Sequence, residues 1–180
     1  VNKKITKMED FKGLKIRHSG GSIPEDRLNR FGASAVFIAW PDVPMALVQK
    51  TVDGVCSTTK SVESAKLYEA GIKYVVNCRN YNGFYVPLVS QKFWSSLSPD
   101  LQKIFSDVWN ETAPKQREIA RREQAEARKI MEAKGVEFFD PSDEALAKWR
   151  NHLMPIQDKI VKDLKHDPAM VELARKALGM

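Results

Sequence analysis

The chain has 180 residues, of which 43% are apolar and 29% are charged, a balance typical of a globular protein with one sizeable core. Its net charge of +6 favours an acidic ligand or surface. Residues 103–134 nevertheless mix both signs at helical spacing, as in Glu111 and Lys115, which indicates a solvated helix and no nucleic-acid partner. No apolar run is long enough to cross a bilayer. The start at Val1, without methionine or signal, is that of a mature or trimmed chain and leaves export open.

Short strands alternate with helices over the first eighty residues. The strands are predicted at residues 14–18, 35–38, 54–57 and 74–76, and the helices at residues 25–31, 42–50 and 60–70. Strands separated by single helices predict βαβ units around a largely parallel sheet. A further strand is predicted at residues 84–89, where Pro87 favours a sheet edge or a bend.

The second half of the chain is predicted to be mainly helical. Ser98, Pro99 and Asp100 form a helix start, and one apolar face follows at i, i+3, i+4, i+7 and i+8: Leu101, Ile104, Phe105, Val108 and Trp109. Pro114 is predicted to break or kink this helix, with a second, polar helix over residues 115–134. A last strand at residues 136–139 and a closing pair of helices to about residue 178 complete the prediction.

Known catalytic and metal-binding patterns are missing from the sequence. Asp53, Glu63 and Glu69 could act as acids or bases, but no pattern brings two of them together. Cys56 and Cys78 lack CxxC spacing, so they are interpreted as buried inert thiols or, in an oxidising compartment, as a disulfide. The three histidines lack ligand spacing. The sequence therefore predicts no enzyme, no catalytic residue, no metal and no cofactor.

A binding site is better supported, because polar and aromatic residues follow the predicted strands. Arg17 ends the first strand before a Ser-Gly-Gly-Ser turn, where it could grip a carboxylate with two parallel hydrogen bonds. The alternative is a solvated surface arginine. Trp40 follows the second strand and either forms an apolar wall for a ligand or only packs against neighbouring residues.

Three hydroxyl side chains, those of Ser57, Thr58 and Thr59, follow the third strand at the same level. They could bond a carboxylate oxygen or cap the helix predicted to start near Lys60. The cap is at least as strongly favoured for Thr59, whereas ligand binding is favoured for Ser57.

Segments around these residues resemble the solute-binding proteins of tripartite ATP-independent periplasmic (TRAP) transporters, of the dicarboxylate-binding, DctP-like type. The resemblance covers about residues 8–145. It is carried by residues 11–17 (FKGLKIR), 31–34 (FGAS), 42–49 (DVPMALVQ), 52–54 (VDG), 66–69 (KLYE), 88–90 (LVS), 93–94 (FW) and 97–103 (LSPDLQK).

This resemblance implies an α/β fold: a periplasmic-binding-protein-like type II lobe with a long interdomain helix, and with the N-terminal lobe absent from the chain. Residues 1–82 and 123–180 would form the second ligand-binding lobe. Residues 83–122 would be a strand and helix that normally complete the first lobe. The resemblance also implies a periplasmic or extracytoplasmic protein that closes over a small organic acid and delivers it to TRAP permease subunits.

The same resemblance assigns roles to individual residues. Arg17 falls on the family's carboxylate-binding arginine, Trp40 on an aromatic position of the pocket, and Gly21 in a loop that approaches the ligand through its backbone. Ser57 stands where Asn is frequent, and Asn80 lies near a position that is often His, so the acid stays unidentified. The predicted ligand-binding residues are Arg17, Gly21, Trp40, Ser57, Thr58 and Asn80.

The apolar helix face has no partner within the predicted lobe. We expect it either to be covered by a second copy of the chain, through Leu101, Phe105 and Trp109, or to fold back onto its own lobe. An alternative function is a structural or interaction protein with the polar helix as a partner-binding arm. A third is an enzyme for an anionic substrate, with its catalytic pair on the absent lobe.

Overall fold

The structure is a computed structural model that describes residues 1–80, 83, 86–177 and 179. Its strands are β1 (Lys15–His18), β2 (Ser34–Phe37), β3 (Gly54–Val55), β4 (Tyr74–Val76) and β5 (Glu137–Phe139). Its α-helices are α1 (Ser22–Arg30), α2 (Val43–Val48), α3 (Thr59–Ser64), α4 (Gln91–Ser96), α5 (Pro99–Ala133), α6 (Asp143–Leu153), α7 (Ile156–Asp163) and α8 (Pro168–Ala177).

The strands form two parallel sheets. The first has the order β2–β1–β3, with Ile16 opposite both Ala35 and Gly54. The second pairs β4 with β5, with Val75 opposite Phe138. Helices α1 and α2 connect the strands of the first sheet, as parallel pairing requires. The predicted α/β fold is confirmed.

Two apolar clusters enclose the first sheet. One includes Leu67 and Met131, and the other is built on Phe11, Phe31 and Trp149, whose rings lie 5.1–6.0 Å apart. The neighbouring β2 residues Ala35 and Val36 pack against different clusters, because successive side chains of a strand point to opposite faces. The sheet is therefore covered on both sides.

Helix boundaries differ from the prediction where the backbone turns left-handed. The helix predicted from residue 25 starts at Ser22, since Gly21 has a φ of +83° and Pro24 fits the first turn. The helix predicted to reach residue 70 ends at Ser64, and Lys66 has a φ of +49°. The helix predicted over residues 42–50 is α2, which follows the 3₁₀ turn Trp40–Asp42.

Of the predicted break or kink at Pro114, the break is wrong, because α5 continues through this residue from Pro99 to Ala133. A kink at Pro114 stays a prediction. Proline removes one intrahelical hydrogen bond, which leaves the carbonyl of Asn110 without its donor. Residues 110–112 and 114–119 are exposed, so water can bond that carbonyl. The missing bond is therefore too small a penalty to end a helix of 35 residues.

Two further predictions need correction. In the strand predicted at residues 84–89, Phe84 and Tyr85 lie outside the described residues, and residues 86–89 are not a strand. The closing pair of helices is three helices, α6, α7 and α8. Pro155 and Pro168 stand at the starts of the last two, where proline suits the first helical turn.

The apolar face at the start of α5 is exposed. Its five side chains, at residues 101, 104, 105, 108 and 109, retain 43–57% of their accessible surface. The expectation that this face folds back onto its own lobe is therefore wrong. Among the described residues, no helix combines the length and apolar character needed to span a membrane.

Candidate functional site

A cavity of about 590 Å³ lies between β3 and β4. Its lining includes residues from both strands, from α1 and from α5. The described lining residues include four arginines and no Asp or Glu, namely Arg27, Arg79, Arg121 and Arg128. Two of these have acidic partners elsewhere, Arg79 with Asp143 and Arg128 with Asp140. The surplus of positive charge gives the cavity wall an attraction for anions.

Arg17 is buried at the end of β1, with 4% of its surface exposed. Its Nε donates to the carbonyl oxygen of Ile38 at 2.8 Å, and its Cζ lies 5.2 Å from the centroid of the Trp40 ring. A guanidinium at that distance from an indole ring makes a cation–π contact. The alternative of a solvated surface arginine is wrong.

Trp40 packs against Arg17 and also retains 36% of its surface. The contact with Arg17 agrees with the interpretation of Trp40 as a packing residue. The other interpretation, in which the exposed part of the ring forms a wall for the ligand, stays a prediction. Gly21 lies in the loop between β1 and α1. A Cβ at Gly21 would meet only Pro24, at 4.0 Å, so the positive φ, and not a shortage of space, favours glycine there.

Sequence reasoning missed Arg27, a buried arginine on α1. Its Nη1 donates to the carbonyl oxygen of Asn80 at 2.5 Å, and its Nη2 donates to Cys56 Sγ at 2.9 Å. The spacing in the sequence could have indicated that Arg27 is buried. Arg27 stands four residues before the buried Phe31 and therefore lies on the same face of the helix.

The two cysteines are free thiols, so the disulfide alternative is not formed. Burial raises the pKa of the Cys56 thiol, and the nearby Arg27 offsets part of this rise. Cys78 Sγ donates to Asn80 Oδ1 at 3.0 Å. Among the described residues, the buried Asn80 Nδ2 has no hydrogen-bond partner, which leaves an amide donor in the cavity wall.

Of the three hydroxyl residues after β3, the one that caps α3 is not the predicted one. Thr58, and not Thr59, caps α3: its oxygen accepts from Ser61 N at 3.2 Å and its hydroxyl donates to Ser61 Oγ at 2.9 Å. Thr59 is the first helical residue, so the predicted cap was one position too late. Ser57 and Thr58 both line the cavity.

The predicted site residues therefore fall into two groups. Ser57, Thr58 and Asn80 line the cavity, whereas Arg17, Gly21 and Trp40 lie outside its lining. The groups meet at β3, because the Arg17 carbonyl accepts from Cys56 N at 2.8 Å, next to Ser57. Within the described part of the chain, no three His, Cys, Asp or Glu side chains are placed to hold a metal ion.

The family model for bacterial extracellular solute-binding protein family 7, DctP, matches residues 1–163. The chain belongs to this family. This match confirms the resemblance to DctP proteins that the sequence indicated. It also confirms the predicted periplasmic or extracytoplasmic location.

One relative is the C4-dicarboxylate-binding periplasmic protein DctP of Rhodobacter capsulatus, 28% identical over 163 residues, which are 90% of this chain and 49% of that protein. The fold matches a TRAP periplasmic solute-binding protein of Xanthobacter autotrophicus with bound β-D-galacturonate (TM-score 0.87, 23% identity, 97% and 56% of the two chains). It also matches one of Ralstonia eutropha with bound (S)-2-acetolactate (TM-score 0.79, 27% identity, 89% and 52%).

The chain spans about half the length of the curated relatives it matches. These relatives are solute-binding proteins and not enzymes, in agreement with the prediction from the sequence.

Proposed function

We propose that this chain is the C-terminal ligand-binding lobe of a TRAP-type solute-binding protein, and that it captures a small organic acid through the carboxylate. Arg17 is the carboxylate-binding residue, with Trp40, Gly21, Ser57, Thr58 and Asn80 around the ligand. The complete protein closes two lobes over the acid and delivers it to the membrane permease.

The observation that carries this proposal is the charge of the cavity wall. Four arginines and no described acidic residue line a space beside β3, and Arg17 is buried next to the same strand. A wall of this charge attracts anions, and guanidinium groups bind carboxylates through paired hydrogen bonds.

Two polar groups support the positions assigned to the acid. The Arg17 guanidinium is oriented by the Ile38 carbonyl and the Trp40 ring, and an oriented guanidinium forms paired hydrogen bonds to a carboxylate at little entropic cost. Asn80 Nδ2 is a buried donor for which the described residues provide no acceptor. A ligand oxygen would satisfy it.

The distribution of the core supports the proposed division into lobes. The buried apolar residues of both clusters fall within residues 1–82 and 123–180, with none among the described part of residues 83–122. Many apolar side chains of that middle segment are exposed, including Leu88, Phe93 and Ile104. This pattern suits a segment that packs on another lobe.

Names of relatives support the class of ligand. The Rhodobacter capsulatus relative is named for C4-dicarboxylates, and the Ralstonia eutropha structure holds (S)-2-acetolactate. Both ligands contain a carboxylate. The acid bound by this protein is therefore expected in the same class, with Ser57 and Asn80 near the part of the ligand that varies.

The test is calorimetric titration of the two-lobed protein that contains this chain, with succinate and acetolactate as probes. Arg17→Ala should weaken binding at least thirtyfold, because removing one partner of a buried charge pair costs about 2–5 kcal/mol. Arg17→Lys should also weaken binding strongly, since the forked geometry is lost.

Arg117→Ala is the matched control, because Arg117 is an exposed arginine on α5. It should leave the affinity unchanged. Equal affinities for Arg17→Ala, Arg17→Lys and the parent protein would overturn the assignment of Arg17.

A further inference from the structure

A buried histidine, His18, ends β1 directly after Arg17, and only 4% of its surface is exposed. Successive side chains of a strand point to opposite faces, so these two side chains leave β1 on different sides. Arg17 contacts Trp40, whereas the His18 ring packs edge-on against Phe37 of β2, with 6.3 Å between the ring centroids. The His18 ring is therefore placed to act on the ligand site through the backbone that follows it.

The loop that follows β1 is hydrogen-bonded to this ring. Gly20 N donates to His18 Nδ1 at 3.2 Å. A neutral imidazole has one N–H group and one acceptor nitrogen, so an accepting Nδ1 places the ring proton on Nε2. The bond to Gly20 thus requires the neutral Nε2–H tautomer of His18, because a ring with a proton on Nδ1 cannot accept it.

Phe37 of β2 supports the same loop. It lies opposite His18 in the register of the two strands. A Cβ at Gly20 would lie 3.2 Å from the Phe37 ring, so the Gly20 backbone packs directly against that ring. Gly20 has a φ of +108°, a conformation that glycine adopts readily and other residues rarely do. One hydrogen bond and one aromatic contact therefore hold Gly20 in place.

The next residue, Gly21, is the N-cap of α1 and has a φ of +83°. No side chain of the N-cap residue bonds the first turn of this helix, because glycine has none to offer. Most helices are fixed at this point by a Ser, Thr, Asp or Asn side chain. The bond from Gly20 to His18 lies one residue before the cap position, so it fixes the loop from the side of the strand.

We propose that His18 is a positioning residue of the ligand site, whose neutral ring holds the Gly20–Gly21 backbone in the conformation that approaches the acid. This inference rests on the proposed function, in which Arg17 binds the carboxylate and Gly21 lies beside the ligand. The Ile38 carbonyl and the Trp40 ring orient Arg17 on one side of β1. His18 fixes the following loop on the other side. Without the bond, two adjacent glycines have a wide choice of conformations.

The spacing of this hydrogen bond provides a matched pair of variants. An Asn side chain accepts from the backbone N–H two residues further on in an Asx turn, which is the same spacing as that of His18 and Gly20. His18→Asn therefore keeps the acceptor and removes the ring. His18→Phe keeps an aromatic ring beside Phe37 and removes the acceptor. The pair separates the effect of the hydrogen bond from the effect of packing.

The first measurement uses the ligand-free two-lobed protein that contains this chain, in mildly alkaline buffer. The Gly20 amide should exchange with solvent about tenfold faster in His18→Phe than in the parent protein, because one hydrogen bond is lost. In His18→Asn the exchange should stay within about twofold of the parent rate, since the acceptor is kept. Nitrogen-15 NMR of the parent ring should show a proton on Nε2 and none on Nδ1.

Calorimetric titration with succinate and acetolactate then measures the consequence for binding. His18→Phe should weaken binding about threefold to tenfold, which corresponds to one net hydrogen bond. His18→Asn should keep the parent affinity. A role of His18 in packing alone predicts the opposite order, because His18→Phe preserves the buried ring and His18→Asn does not.

Equal Gly20 exchange in His18→Phe and the parent protein, or a proton on Nδ1, would overturn the proposed bond. Faster Gly20 exchange with unchanged affinity would overturn the link between this loop and the ligand, and weaker binding by His18→Asn than by His18→Phe would assign the effect to packing. Failure of the proposed function is distinguishable from these outcomes. In that case Arg17→Ala would bind as the parent does, while the Gly20 comparison, which needs no ligand, would keep its expected result.

Discussion

The two ends of helix α5 have apolar residues at similar spacing, but these residues are buried at one end and exposed at the other. Near its C-terminus, Ala127 and Met131 are buried against the packed region, which we define as residues 1–80 and 123–153. Near its N-terminus, Leu101 and Phe105 are exposed, within an apolar surface region that spans residues 86–109. An amphipathic pattern therefore predicts that a helix face will be covered, but not what covers it.

The difference between the regions has a physical cause. The packed region has two parallel sheets whose faces need helical cover, and the second half of α5 supplies part of it. Residues 86–109 contain no strand in the described structure, so their helices have no sheet to cover. The apolar surface region is thus the part of the chain that depends on a partner for its burial.

The largest expected effect comes from a matched pair of leucine truncations. Leu67→Ala should lower the free energy of unfolding by about 2–5 kcal/mol, because Leu67 is fully buried. In the monomer, at low protein concentration, Leu101→Ala should lower it by about 0.5 kcal/mol or less, because Leu101 is 51% exposed. Urea unfolding followed by circular dichroism measures both. A cost at Leu101 as large as that at Leu67 in the monomer would mean that the apolar surface region is covered within a single chain.

Much of this contrast could be predicted from the sequence, because local patterns decide it. The period-two alternation around Ile16 predicted β1 within one residue, and the Ser98–Pro99 cap predicted the start of α5. Failures came where backbone conformation or solvent decided the outcome. The left-handed Lys66 lies just beyond the early end of α3. The residues around Asn110 are exposed, so water can satisfy the carbonyl that Pro114 leaves without a donor.

The candidate site was less predictable, because side chains distant in sequence build it. The interaction of Arg17 with Trp40 depends on the pairing of β1 with β2, which the spacing indicated. The bonds from Arg27 to Cys56 and Asn80 join three separate segments. No local pattern in the sequence specifies such contacts. Only the helical spacing between Arg27 and Phe31 indicated that Arg27 is buried.

The second expected effect is a pH dependence of the packed region when the 180-residue chain is prepared with a free α-amino group at Val1. The pKa of the Val1 amine falls from its usual 8.0 to about 5 in the folded chain, so between pH 8 and pH 5 the unfolded chain binds a proton that the folded chain does not. Stability should therefore fall as the pH drops through that window, by about 4 kcal/mol at most. Thermal unfolding between pH 5 and pH 8 measures this slope. N-terminal acetylation removes the titrating group and should flatten it; an unchanged slope would show that the amine is hydrated.

A smaller effect is expected from self-association of the apolar surface region. We expect a second copy to cover Leu101, Phe105 and Trp109, so light scattering should give a mass above the 20.4 kDa of one chain. Phe105→Asp should weaken this association at least tenfold, because it places a charge in the contact. Lys115→Asp, on an exposed position of the same helix, is the control for changed charge. A monomer whose Trp109 fluorescence is fully quenchable would contradict this expectation.

The smallest expected effects concern the helix caps of the two regions. Thr58→Ala should lower the free energy of unfolding by about 1 kcal/mol, because its oxygen accepts from Ser61 N in the packed region. Thr59→Ala is the matched control and should cost less than about 0.5 kcal/mol.

Ser98 caps α5 by accepting from Leu101 N, at the edge of the apolar surface region. Because this region contributes no residue to either apolar cluster, Ser98→Ala should fray the first turn of α5 without changing the urea midpoint of the packed region. Amide exchange at Leu101 and the unfolding midpoint together measure this. A midpoint shift as large as that of Thr58→Ala would show that both regions unfold as one unit, and that the exposed end of α5 is coupled to the core through the helix itself.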